Sequence, residues 1–437
     1  MQSVDFSGGI RLRAIASSIA LVLLTAGLAA CQQAAPAPPA PDPSQTRLKL
    51  GAVLPATGAL ATASEPILEV LPLITNTVNA CGGVNGLPID LVVKDDQANP
   101  KTGTTAMTQL AKQDRVSAVL GNFANDAVAA AAMKVAVQNR IPVISPNNTS
   151  PTFTSRAQKG EYQGYWARTI PSETQQAIAL AQLAKQRGLK QVSTLVSNDT
   201  NGIAFEKAFV AEFEKLGGKV LNKTNPSRYD PQSELDYGAL SAFLPNGELP
   251  DGVIAAIDRR QGSQLLQVAY AEGLAGDVQV LLTNKARNAS FVETVGQSVD
   301  GKFFLNGAIG TSPTVKSPTS DSFYKLWQEK QGSTPGLQVP QAWDALALLI
   351  LAAQAAQSNQ GKALKDQLRP VANPPGEEVT DLCQAIQLLK QGKDIDYEGV
   401  SGTVDLDKNG DVIANYEVWM VDEQGRIQTI NQVELER

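Results

Sequence analysis

Two short polar loops carry the residue types best suited to hold a small molecule. Gly121-Asn122-Phe123-Ala124-Asn125-Asp126 follows the apolar run 117–120 and opens a helical stretch. Asn125 or Asp126 can cap that helix, and the unpaired N–H groups of its first turn offer a site for an anion such as a carboxylate. Asn147-Asn148-Thr149 follows the apolar run 143–145 and brings amide, hydroxyl and main-chain groups that both donate and accept hydrogen bonds. Such groups bind and orient a solute without breaking its bonds. The composition points the same way. The 437 residues include no histidine, which removes Ser-His-Asp and Cys-His catalysis, His-ligated zinc and imidazole pH switching. Three cysteines fall short of a four-cysteine zinc or iron–sulfur site. With 37 basic against 43 acidic side chains there is no basic footprint for nucleic acid. The expectation is a binding protein with no cofactor, no metal and no catalytic residues.

The elements around these loops alternate. Short β-type runs at 48–54, 89–94, 117–120, 143–145, 192–196, 253–257 and 278–282 are near-continuous Val, Ile, Leu and Ala, as in parallel strands covered on both faces. Helical stretches at 67–80, 103–113, 126–139, 174–187, 204–216 and 262–272 separate them. In 176–187, Ala177, Leu180, Leu183 and Ala184 share one helical face. This order predicts an α/β architecture of mostly parallel sheets. The cadence restarts after Pro171 over 190–305, which suggests a second lobe. Towards the C-terminus, 402–406 and 412–420 flank Asn409-Gly410, a hairpin turn signal. The spacing Asp405-x-Asp407-x-Asn409-Gly410 resembles the start of an EF-hand loop, but its twelfth position is Tyr416 rather than a bidentate glutamate.

At the N-terminus, Arg11 and Arg13 precede an apolar stretch over 14–28 that is too short for a bilayer span and fits a secretory signal peptide. Leu28-Ala29-Ala30-Cys31 resembles a bacterial lipobox, which implies cleavage before Cys31 and lipidation of that residue; an ordinary cut after Ala30 is the alternative. Residues 31–47 are proline-rich and read as an extended stalk. The most apolar later segment, 345–353, reads as a buried helix. With Cys31 lipidated, Cys81 and Cys383 remain, 302 positions apart, in a compartment that permits disulfides. Either they pair, which requires both ends of the chain to share a lobe, or they are two buried thiols.

Five segments in order resemble the branched-chain amino-acid type of periplasmic solute-binding protein: 49–58 (KLGAVLPATG), 79–89 (NACGGVNGLPI) with Asp95-Asp96-Gln97, 141–151 (IPVISPNNTSP), 168–172 (RTIPS) with Gln175, and 396–402 (DYEGVSG) leading into 407–412 (DKNGDV). The resemblance implies a two-lobed type I periplasmic-binding fold with three inter-lobe crossings. Lobe 1 would be 48–172 plus 308–413, and lobe 2 would be 173–307 plus 414–437. Both Cys81 and Cys383 then fall in lobe 1, which favours their pairing. The implied ligand set is Thr149, Asn125, Asn147, Asn201, Asp258 and Asn284. Thr149 matches a family threonine, whereas Asn125 stands for a serine and Asn201 for a tyrosine. Asp258 lies where an aromatic is frequent, and Asn284 occupies the place of a glutamate that binds the ligand's ammonium group. Asp258 could replace that carboxylate, while Arg259 or Arg287 could instead favour an acidic ligand. The implied role is that of a monomeric, lipid-anchored solute-binding protein of an ABC importer at the bacterial cell envelope, meeting the membrane only through its anchor. It would carry an amino acid or related amide to permease subunits. A sensing or regulatory role outside transport is the alternative.

Overall fold

Apolar runs flanked by amphipathic stretches fold into two large, mostly parallel sheets with helical cover, and a three-stranded sheet adds to them. The computed structural model describes residues 46–435 apart from 59, 124, 232, 315–319 and 337. The expected signal peptide, Cys31 and all but the last two residues of the stalk lie outside the described residues.

The first sheet comprises β1 (Lys49–Leu54), β2 (Asp90–Asp95), β3 (Ala118–Gly121), β4 (Val143–Ser145) and β5 (Trp166–Arg168), ordered β2-β1-β3-β4-β5 and parallel throughout. Its crossover helices are α1 (Ala61–Ala80), α2 (Pro100–Gln109), α3 (Asp126–Gln138) and α4 (Pro151–Gln158). Asn99 and Asn125 cap α2 and α3 by accepting first-turn N–H groups, which fixes where each loop ends and its helix begins. The helix expected at 103–113 starts earlier, at Pro100, and its last turn, Leu110–Asp114, is a π-turn.

After β5 the chain enters a second sheet. This holds β6 (Gln191–Ser197), β7 (Lys219–Val220), β8 (Ser227–Tyr229), β9 (Gly252–Ala256), β10 (Gln279–Leu282) and β11 (Ile309–Pro313), with α5 (Glu173–Gln186), α6 (Thr200–Lys215), α7 (Gln261–Ala271) and α8 (Ala289–Val295) around it. Because Ile309 to Pro313 pairs with both β10 and a later strand, the return to the first lobe begins after Pro313 and not at 308.

The return supplies α9 (Asp321–Gln331), α10 (Val339–Ala356), α11 (Gly361–Ala372), β12 (Glu377–Val379), α12 (Leu382–Lys390), β13 (Ile395–Gly399) and β14 (Gly402–Thr403). Helix α10 is buried from Val339 through Gln354, as an all-round apolar helix must be. It is long and apolar enough to cross a membrane, yet 89% of that stretch lies inside the protein, packed with β1, α1 and α12 residues in one core. Cys81, at the end of α1, is bonded to Cys383 in the first turn of α12, with their Cα atoms 5.6 Å apart.

The chain then crosses for the third time. Strand β15 (Tyr416–Val421) runs antiparallel to β11, and β16 (Ile427–Val433) antiparallel to β15. The turn at Asn409-Gly410 closes a single bridge, Leu406 to Val412, rather than the expected hairpin, because the strand expected at 412–420 begins only at Tyr416 and pairs in the second sheet. Gly410 has a φ of +82°, and a Cβ there would lie 2.1 Å from the Trp166 carbonyl oxygen, so the turn packs directly on β5.

Candidate ligand-binding cleft

The loops after β3 and β4 are laced together at the edge of the first sheet. Asn125 turns its side-chain oxygen to the N–H groups of Ala127 and Val128, at 3.0 and 3.1 Å. Asn147 accepts from the Ser145 hydroxyl at 3.0 Å and donates to the Phe123 carbonyl at 2.9 Å. Asn148 donates to Asp126, and its own carbonyl accepts from the Arg168 guanidinium. Each residue holds loop shape with the groups that the sequence offered to a ligand.

Two further expected residues bridge from these loops to the second lobe. Thr149 donates its hydroxyl to Glu173 at 3.2 Å, and its carbonyl accepts the Glu173 N–H at 2.9 Å. Glu173 begins α5 and also pairs with Lys285 at 3.1 Å. The Ser150 hydroxyl donates to Asn201 Oδ1 at 3.1 Å. Thr149 and Asn201 therefore tie the two lobes to one another.

Asp258 sits just beyond β9 and caps the turn into α7, accepting from the Arg260 and Gln261 N–H groups. It also accepts from the Tyr229 hydroxyl at 2.7 Å, and burial pushes that phenol far above its usual range.

Asn284 differs from these five. It lines a cavity of about 640 Å³ walled by all three crossings, and is exposed to it. Ile170 comes from the first crossing, Ser312 and Pro313 from the end of β11, and Gln338 and Gln341 from the start of α10. Arg287, Glu417 and Thr429 complete the wall. Ser312 and Glu417 are direct partners in the antiparallel register of β11 and β15, so their side chains share one face. Arg287 pairs with Glu417 Oε2 at 2.7 Å and donates to the Thr429 hydroxyl at 2.7 Å, and Thr429 donates to the same Glu417 oxygen. Gln341 is anchored by its backbone carbonyl, which accepts from the Thr169 hydroxyl at 2.7 Å. Its side-chain oxygen and the Ser312 hydroxyl are buried without a hydrogen-bond partner among the described residues.

Of the six residues expected at the site, the structure brings only Asn284 to this cavity. Arg287 was singled out in the sequence for its charge. Ser312, Gln341, Glu417 and Thr429 carry no motif, since they come from widely spaced segments that only the crossings assemble. The wall offers hydrogen-bonding and ionic groups. For metal binding, Asp396, Glu398 and Asp405 place carboxylate oxygens within 4.8 Å of one another in the first lobe, away from this wall; each has another interaction partner.

The receptor family ligand binding region model matches residues 68–424. Leu/Ile/Val-binding protein homolog 1 of Brucella abortus is 33% identical over 327 residues, covering 72% of this chain and 82% of that protein. The chemotactic signal transduction system substrate-binding protein BasB of Halobacterium salinarum is 24% identical over 396 residues, covering 86% and 87%. In fold, the chain resembles a solute-binding protein of an ABC transporter from Rhodopseudomonas palustris solved with 3,4-dihydroxybenzoic acid, with a TM-score of 0.62 at 20% identity over 89% of this chain and 97% of that one. The two mostly parallel sheets, the three crossings and the cavity between them agree with these similarities. The chain belongs to the receptor family ligand binding region, as a periplasmic solute-binding protein of the branched-chain amino-acid type.

Proposed function

We propose that this protein is the lipid-anchored solute-binding subunit of an ABC importer, taking a small polar solute between its lobes and delivering it to permease subunits. One observation carries the reading: a cavity of about 640 Å³ bounded by all three crossings and holding buried polar groups without partners. A buried group left unpaired costs free energy, which a solute bearing the complementary group recovers. A solute touching segments from both lobes favours the closed form over the open one, so closure is a population shift requiring no chemistry from this chain. The Leu/Ile/Val-binding name of the Brucella relative favours an amino acid or related amide.

Lipidation at Cys31 would hold the protein at the envelope, extended on its proline-rich stalk. Cys31→Ser should release it from the membrane fraction, and mass spectrometry of the native N-terminal peptide should show the acyl groups. A thermal-shift screen against amino acids, amides and aromatic acids tests the binding role. A ligand present at about 100 times its Kd should stabilise the protein by about 2.7 kcal/mol. No shift with any member would reject solute binding.

BasB favours a second reading, since its name assigns a substrate-binding protein to chemotactic signalling. Deletion of the gene should abolish uptake of the identified solute under the import reading. Retained uptake with lost chemotaxis would instead establish sensing.

A further inference from the structure

We infer that the first lobe carries a second binding site, between α3 and the end of α4, which takes a small apolar monocarboxylate. It shares no residue with the cavity at the crossings and does not depend on the role proposed above.

One stripe of a helix and one turn build this site. Met133, Lys134 and Val137 lie within about 100° of one another around α3, so a single face presents two apolar groups and a cation. Opposite are Arg156, in the last turn of α4, and Glu161 and Tyr162, in the turn that follows. These residues line a cavity of about 320 Å³. Met133 and Tyr162 are its buried members, at 0% and 3% exposure.

Tyr162 gives the sign that the wall suits a ligand. Its ring is held against Phe153 and Trp166, with centroids 5.7 and 6.0 Å apart. Yet its hydroxyl is buried without a hydrogen-bond partner among the described residues. Burial pushes that phenol up to about 12, so it stays protonated and can donate. A buried donor left unpaired costs free energy that an acceptor restores. Arg156 is fixed beside it. Its Nε donates to Glu161 Oε2 at 2.7 Å, and its guanidinium carbon lies 5.2 Å from the Tyr162 ring centroid. A cation oriented before the ligand arrives loses less freedom on binding.

Charge and polarity then select the class. Lys134 and Arg156 face Glu161 alone, leaving one positive charge in excess, in a protein whose formal charge is −6. A monoanion balances that excess, whereas a cation is opposed by it and a dianion exceeds it. Met133 and Val137 offer nothing to a bare inorganic anion but cover an apolar body. A carboxylate on a ring or short chain satisfies the tyrosine donor, the cations and the apolar side together.

Crystallography and calorimetry on the whole protein test this with 4-bromophenylacetate and its neutral amide. The bromine's anomalous signal should place the acid between α3 and α4, and the amide should bind about tenfold more weakly or less. Tyr162→Phe should weaken binding of the acid by about 10- to 100-fold, the range for a hydrogen bond to a charged group. It should not lower the melting temperature, because the hydroxyl it removes has no partner to lose. Lys134→Gln should also weaken binding, while Asn284→Ala, at the crossings, should leave it unchanged. A bromine found only at the crossings overturns the site, as does equal affinity for acid and amide. Unchanged affinity in Tyr162→Phe, or a lowered melting temperature there, does the same. Displacement of the acid by equimolar inorganic phosphate overturns the monocarboxylate class. Absence of acid binding overturns the site and leaves solute binding at the crossings standing.

Discussion

Arg168 and Asp411 lie 243 positions apart in sequence and meet with Nε 2.7 Å from Oδ1, both side chains buried. The guanidinium also donates to the carbonyls of Asn148 and Ser150 and to Thr154. One side chain at the end of β5 thus fixes both the loop beside the cleft and the turn that precedes the third crossing.

Removing one member of a buried pair leaves the other charged and desolvated. Asp411→Ala should destabilise the protein by about 3–5 kcal/mol, read from urea unfolding. Gly410→Ala should also destabilise it, because the new methyl meets the Trp166 carbonyl.

Asp344 is fully buried in α10, and desolvation pushes its pKa up to about 6, against hydrogen bonds from the Ser401 hydroxyl and N–H, the Val400 N–H and the Tyr397 hydroxyl. The raised folded-state value favours the protonated acid. Its contribution is therefore fullest below the unfolded value of 3.8, falls as pH rises through about 6, and levels off above that. The stability of wild type relative to Asp344→Asn should drop by roughly 2 kcal/mol between pH 4 and 6. A difference that is constant across that window would rule out titration of Asp344.

The Cys81–Cys383 bond closes a loop spanning 302 positions. Reduction, or the double substitution to serine, should cost about 2–5 kcal/mol through the freed denatured chain. Thermal melts with and without reductant measure it. The cavity is remote in sequence from both cysteines, so solute affinity should persist in the reduced protein below its melting point.

Asn125 and Thr149 separate cap from latch. Asn125→Ala should cost about 1 kcal/mol of folding stability as a lost N-cap and leave solute affinity alone. Thr149→Val should lower affinity about fivefold by removing an inter-lobe hydrogen bond worth about 1 kcal/mol. An affinity change in the first variant, or none in the second, would reassign these roles.

Much of the fold was legible because parallel strands covered on both faces are written as unbroken apolar runs. The expected 143–145 matches β4 to the residue, and the runs at 48–54, 117–120 and 278–282 lie within one position of β1, β3 and β10. Strands β5 (Trp166–Arg168), β7 (Lys219–Val220) and β8 (Ser227–Tyr229) mix apolar with charged or polar residues over two or three positions, too little pattern to stand out. The crossing after β11 was misplaced because Thr311, Ser312 and Pro313 look like loop residues, while their pairing with Val418, Glu417 and Tyr416 depends on a strand about a hundred positions later in the chain. Asn125 illustrates the same limit at the site. Its type and place were readable, and capping accounts for its side-chain oxygen. Glu417 shows the converse, since on β15 it alternates with apolar neighbours like any strand residue until Arg287 is brought against it.

The crossings also impose an order on synthesis. A chain emerging from its N-terminus completes all five strands of the first sheet at Arg168, but α10, whose apolar side chains share their core, does not begin until Val339. The whole second sheet up to β11 is made in between. The half-finished lobe must wait with apolar surface uncovered, so during synthesis it is the stretch most in need of a chaperone, whereas the intervening lobe lacks only its last two strands when α10 arrives.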